Sequence, residues 1–418
     1  MNTKKWFIGL VVLCVLSTPL WSSGQEEAAS EEPPVVSFWT LQQADIDIQS
    51  AQENAVKDFE GENNCDIEVT SFPYVELRDK MLTAVAGGQG PDLLLLDQIW
   101  VAQYAAAGFV DSLDDFVKNS DIEADDYFPG AWGAGVYQNK LYAVPFDVGV
   151  WALLYYNKDM FRDAGLDPEK PPVTWDEFLE YGRTLTGGGK YGTAIWVGKG
   201  DAVNCMTDAF TFSAGGKIVN ESGTKALLDQ QSAIEGLGFW KDCAAISPPG
   251  SVGRSEEDSF KLFTAGQVAM FFYGEWGQDT IKTRAPDMDY GMALLPKPEG
   301  GESIGTFGGF NIGINKNSEL KDIAWEFIKY STKRDVNEKI TMLTPAHKEA
   351  ARSYLQEKRR YPDTIYEQLT NALYRPMVPN YPELAEMQRQ ATQQVLLDQM
   401  SVADALKEAT TKINKLLQ

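Results

Sequence analysis

Histidine is nearly missing from this chain of 418 residues, which carries a single copy, His347. A nucleophile–histidine couple would have only that side chain as its base. It sits in Pro345-Ala346-His347-Lys348, where the sequence pattern starts a helix, so a structural role is expected. The patterns GxSxG, HExxH and the phosphate loop are also missing, so no catalytic residues are assigned. Basic side chains are scarce, 37 against 60 acidic ones, for a net charge of −23. That balance argues against nucleic acid, whose phosphates need Lys and Arg, and against docking on anionic lipid. Cysteine is sparse too, four in all, without CxxC or any metal-ligand spacing, so neither metal nor cofactor is expected.

Long apolar runs occur only at the N-terminus. Lys4 and Lys5 precede the apolar stretch 6–16, and Pro19 with Ser22, Ser23 and Gly24 follows it. This is the layout of a signal peptide over residues 1–24, too short for a spanning helix of roughly 20 residues. Export to the periplasm or extracellular space follows, and the mature chain carries −25 because the segment removes two lysines and no acid. Cys14 lies within the run, but Leu13 stands where a lipid-attachment box has a small residue; a lipid anchor is the minor alternative. Residues 25–34 (QEEAASEEPP) read as an acidic tether. Exported thiols meet an oxidising compartment, so a Cys205–Cys243 bridge with Cys65 left over stands beside three buried thiols as alternatives.

What the chain has is alternation. Residues 35–39 read as a strand, 51–59 as a helix, 65–72 as a strand, 75–86 as a helix ended by Gly87-Gly88, and 93–96 as an unbroken apolar strand. A β-α-β-α-β order with a continuous apolar run implies a parallel sheet covered by helices. Further strands are expected at 141–145, 150–156, 191–197, 269–273 and 290–295, and residues 307–314 carry three glycines. Thr174-Trp175-Asp176-Glu177 carries a capping box, and helices are expected near 204–213, 231–245 and 320–330. Beyond 346 the chain reads as helical, broken by the three prolines of 374–382.

Four blocks in order resemble the bacterial extracellular solute-binding proteins of ABC importers, the sugar-binding group that includes maltose-binding proteins. They are Pro91-Asp92-Leu93-Leu94 with Ala107-Gly108 and Leu113-Asp114; YYNKDM at 155–160 with TWDEF at 174–178; FTAGQVAM at 263–270 with Gly274-Glu275-Trp276; and Leu294-Leu295-Pro296 with Gly308-Gly309. The resemblance implies an α/β, two-lobed periplasmic-binding-protein fold of the class II type, with a ligand cleft between lobes joined by a hinge. It implies lobes over 35–148 plus 310–345 and over 149–309 plus 346–418, crossing near 147–150, 306–310 and 345. It also implies a monomer that hands a small-molecule sugar to permease subunits.

Eleven Trp and seventeen Tyr supply apolar faces for sugar rings, and carboxylates, amides and Arg supply hydrogen bonds. Strand-to-loop positions nominate Trp39, Gln43, Asp97, Gln98 and Trp100 as ligand contacts. Near the crossings stand Asp147, Trp151, Gly309 and Phe310, and Trp276 matches the family position at which an aromatic ring stacks on sugar. Arg375 lies in the proline-rich break. Each has a plain structural alternative: core packing for the aromatics, a helix cap for Asp97, a surface ion pair for Arg375. Met387-Gln388 stands where maltodextrin-binding relatives carry a late stacking aromatic, so that specificity does not carry over. A polyamine or glycerol phosphate ligand, or a secreted glycosidase with paired carboxylates, are the rival readings.

Overall fold

The computed structural model describes residues 33–43 and 45–418, and Pro34–Gln418 forms one compact unit. The signal peptide, Cys14 and most of the tether lie outside the described residues. The strands are β1 (Val35–Leu41), β2 (Asp66–Phe72), β3 (Leu93–Asp97), β4 (Val136–Tyr137), β5 (Lys140–Leu141), β6 (Ala143–Pro145), β7 (Asp147–Trp151), β8 (Leu153–Asn157), β9 (Met270–Tyr273), β10 (Tyr290–Ala293), β11 (Thr306–Gly308), β12 (Phe310–Ile314) and β13 (Thr344–Pro345).

The first sheet runs β2-β1-β3-β12-β6. β1, β2 and β3 are parallel, as the apolar run of β3 predicts, whereas β12 is antiparallel to both β3 and β6. The crossovers β1→β2 and β2→β3 travel in opposite directions. Right-handedness therefore puts helices Ile46–Asn63 and Tyr74–Ala86 on opposite faces. Helix Ile46–Asn63 reaches further than its apolar spacing suggests because Asp45 accepts from the Asp47 and Ile48 N–H groups and caps it. Phe59 and Phe38 close on Phe327 of helix Lys321–Thr332, with ring centroids 5.2 and 5.8 Å away.

The second sheet, β10-β8-β9, is antiparallel, and its core is aromatic. Trp175 stacks on Phe239 at 4.7 Å and Phe178 on Phe272 at 4.7 Å, tying helices Trp175–Thr184 and Gln231–Asp242 to β9. Both halves of the Thr174–Glu177 capping box form. His347 likewise caps helix Lys348–Lys358, accepting from Glu349 and Ala350 N–H.

A third sheet, β11-β7-β13, joins the two. β6 of the first sheet continues through Phe146 into β7, and β7 through Ala152 into β8 of the second. β11 pairs with β7 and leads through Gly309 into β12. β13 pairs with the other edge of β7. The chain therefore passes between the sheets three times, side by side.

Some expectations are corrected. Residues 150–156 are not one strand: Ala152 adopts φ +73°, a conformation that no glycine or asparagine announces, and breaks it into β7 and β8. Residues 191–197 are largely buried but form no ladder beyond one bridge, Tyr191 to Val268. A helix at Arg334–Ile340 had no clear signal in the sequence. Cys65, Cys205 and Cys243 are all free and buried, so the Cys205–Cys243 bridge is absent.

Candidate functional site

The joining sheet carries an aromatic pair. Trp151 ends β7, and Trp276 follows β9 at the start of helix Gly277–Arg284. Their rings meet edge to face, 4.6 Å apart at 80°, and both are half-buried. The Trp276 indole lies on main chain, because a Cβ on Gly274 would come within 2.1 Å of its six-membered ring. Trp151 in turn crosses Gly308, where a Cβ would stand 3.1 Å from Nε1. An aromatic face held on backbone and left partly open can receive the C–H face of a sugar.

Two residues on from Gly308, Phe310 pairs with Asp97, the start of a chain of charge that is buried at Asp97 and Arg375 and partly exposed at Asp201. Asp97, at the end of β3, caps helix Gln98–Ala106 through the Ile99 N–H and accepts the Tyr74 hydroxyl at 2.8 Å. The Arg375 guanidinium stands 3.8 Å from Asp97 and donates to Asp201 at 2.5 Å, with Arg375 itself 4% exposed. Burial raises the Asp97 carboxyl, and the Arg375 charge opposes that rise. Tyr74 packs 5.2 Å from Trp100 and 6.4 Å from Phe310 while 40% of it stays exposed. Behind Arg375, Gln388 donates to Asp208 at 2.9 Å, and burial pushes the Asp208 carboxyl up to about 7.

Two further carboxylates sit in the joining sheet. Asp147 accepts the Phe310 N–H at 2.9 Å through one carboxylate oxygen. Glu275 accepts the Thr344 hydroxyl at 2.7 Å. Burial pushes each up to about 7.

The expected residues thus divide. Trp151, Trp276, Asp147, Gly309 and Phe310 gather at the joining sheet. Asp97 and Arg375 meet, and the Gln98 amide donates to the Phe307 carbonyl. Trp100 is enclosed, 1% exposed, behind Tyr74. Trp39 packs edge to face on Phe72 at 5.1 Å. Gln43 lines a separate cavity of ≈ 720 Å³ between helix Ile46–Asn63 and the first sheet, together with Thr40, Gln52, Phe146 and Ile340. Sequence reasoning missed Tyr74 and Asp201. Tyr74 follows a strand end, β2, as Trp39 and Asp97 do, and the same rule could have found it. Asp201 is revealed only by its partner, Arg375, 174 positions away. Among the described residues no group of three His, Cys, Asp or Glu side chains could hold a metal ion, and no helix is long and apolar enough to cross a membrane.

Solved structures similar to this one are binding proteins. A solute-binding protein of Thermotoga lettingae bound to α-D-tagatose superposes with a TM-score of 0.78 at 28% identity, covering 92% of this chain and 100% of that one. The maltose-bound MalE3 of T. maritima gives 0.75 at 26%, with 92% and 100% covered. In sequence, a binding protein of Brucella abortus is 27% identical over 384 residues, 88% of this chain and 89% of its own length. These neighbours are two-lobed, and this chain shares their fold, with a ligand cleft between lobes joined by a hinge. A location outside the cytoplasm goes with such a family. Over residues 45–338 the chain matches the bacterial extracellular solute-binding proteins, and it belongs to that family.

Proposed function

We propose that this chain is the substrate-binding component of an ABC importer, capturing a mono- or oligosaccharide and delivering it to the permease without altering it. One lobe comprises 35–148 with 310–345 and the other 149–309 with 346–418. The observation that carries this reading is the half-buried Trp151–Trp276 pair, linked through Gly308 and Phe310 to Asp97 and its chain of charge with buried Arg375 and partly exposed Asp201. The rings offer a sugar its apolar platform, and the carboxylates and guanidinium offer partners for its hydroxyls. Arg375 is already neutralised by two acids, which disfavours glycerol phosphate. The buried acids Asp147 and Glu275 are engaged by the Phe310 N–H and the Thr344 hydroxyl, which disfavours glycosidase work. A signal peptide over 1–24 delivers the chain to the periplasm or surface, where it acts as a monomer.

Calorimetric titration of residues 25–418 against maltose, maltotriose, tagatose, spermidine and glycerol 3-phosphate tests the proposal. Binding of one sugar, weakened at least tenfold by Trp276→Ala, is expected, with that sugar recovered intact. Binding of spermidine alone, or release of cleaved sugar, would refute it.

A further inference from the structure

Ligand capture does not account for the two acids of the joining sheet. Asp147 lies on the first crossing, holds the second by accepting the Phe310 N–H, and stands opposite Pro345 of the third in the β7–β13 pairing. Glu275 belongs to the turn that carries Trp276. Its N–H donates to the Val150 carbonyl on the first crossing at 3.3 Å, and its carboxylate takes the Thr344 hydroxyl on the third. Between them, two side chains touch every segment that a hinge motion must bend.

We infer that Asp147 and Glu275 are positioning residues, a two-carboxylate brace whose charge sets how firmly the three crossings are held together and so how tightly the cleft keeps its ligand. Only the last clause rests on the proposed function. In each acid one oxygen is engaged and the other, Oδ2 of Asp147 and Oε2 of Glu275, is buried without a hydrogen-bond partner. A proton can occupy that free oxygen and leave the engaged one accepting. The surroundings favour the neutral form. Arg359 is the cation facing Glu275, but it is tied to Asp279 at 2.7 and 2.8 Å. The other titratable neighbours are Tyr155, whose hydroxyl donates to the Gly274 and Glu275 carbonyls, and Tyr354. The two acids also repel each other when both are charged. Burial therefore pushes both up to about 7. Below that pH the brace is neutral and the crossings stay together. Above it, two like charges share an enclosed space, and parting the crossings to admit water relieves them.

The test uses ligand-free protein, residues 25–418, between pH 5 and 8.5. It reads tryptophan fluorescence, since Trp151 and Trp276 lie on the brace, together with the radius of gyration from X-ray scattering. The wild type should expand and change fluorescence with a midpoint near pH 7. Asp147→Asn with Glu275→Gln, isosteric and permanently neutral, should keep the acid form throughout. Asp208→Asn, removing a buried acid outside the hinge, should leave the transition in place. Maltotriose affinity, where it binds, should weaken several-fold from pH 5.5 to 8.5 in wild type and stay flat in the double variant. A flat wild-type signal, or a transition that survives in the double variant, overturns the inference. Should the double variant lose its circular-dichroism spectrum, each single variant must shrink or shift the transition, and one that leaves it unchanged is equally fatal. If no sugar binds, the scattering result still decides the brace and only the carbohydrate reading falls.

Discussion

Gly309→Ala is the substitution whose cost can be worked out most directly. Gly309 has φ +127°, and a Cβ there would lie 2.3 Å from the Asp147 carbonyl oxygen and 2.8 Å from the Val148 Cα. The obstruction is backbone of the neighbouring crossing, so no side chain can rotate aside. The left-handed conformation alone costs about 1–3 kcal/mol for a residue with a side chain. Relieving the contact must then part β7 from the β11–β12 link, straining the Gln98 N–H bond to Gly309 and the Phe310 N–H bond to Asp147. Losing one such bond adds about 1–2 kcal/mol, for a total of about 2–5 kcal/mol. At about 2.1 cal/mol/K of unfolding entropy per residue, each 1 kcal/mol lowers Tm by about 1.2 °C in a chain of this size, so a fall of about 2–6 °C is expected. Gly108→Ala is the control. Its φ is +71° with nothing within 4 Å of a Cβ, so only the conformational cost remains. Differential scanning calorimetry on both variants decides the matter. Equal shifts, or a Gly309→Ala shift under 1 °C, would refute the claim that the crossings are in contact through this residue.

Three further outcomes follow from the same geometry. Asp147, Asp208 and Glu275 are all pushed up to about 7, so the folded chain keeps protons that the unfolded chain releases near pH 4. Their stabilisation is present at low pH and is lost as pH rises through 7. Tm should therefore be several degrees higher at pH 5 than at pH 8, and the reverse order would contradict the burial of these acids. Arg375→Met leaves Asp97 and Asp201 without their cation and should cost about 3–5 kcal/mol, read as a lower denaturant midpoint; a neutral effect would mean the pair is solvated. Ellman titration of residues 25–418 should find no reactive thiol in the native state and three after denaturation without reductant; a count of one would indicate a disulfide.

Features written in neighbouring residues were legible in the sequence. Thr174 and Glu177 cap one helix across three positions, and Leu93–Leu96 declare a strand covered on both faces. Features decided by distant partners were not. Ala152 turns left-handed because β7 and β8 must serve different sheets, and nothing about alanine says so. Residues 191–197 are as apolar as a strand, yet no neighbour offers a full ladder. At the site, Trp276 and Gly309 followed from block spacing, whereas the Arg375–Asp201 pair exists only because a proline-rich break folds back onto a distant loop. Trp100 shows the limit of counting aromatics. It sits one turn past Asp97, but Tyr74 stands between it and the open face.

The place of β12 in the first sheet has a consequence for how the chain is made. β3 has β1 on one side from early in synthesis, but its other edge is covered only by β12, which is translated long afterwards. Until then the Leu93–Leu96 backbone presents free N–H and C=O groups on an apolar ribbon, the condition under which strands pair with the wrong partner. A chain released before residue 310 would be aggregation-prone however well its second sheet had packed. In the complete chain this late, long-range closure makes slow folding the expectation.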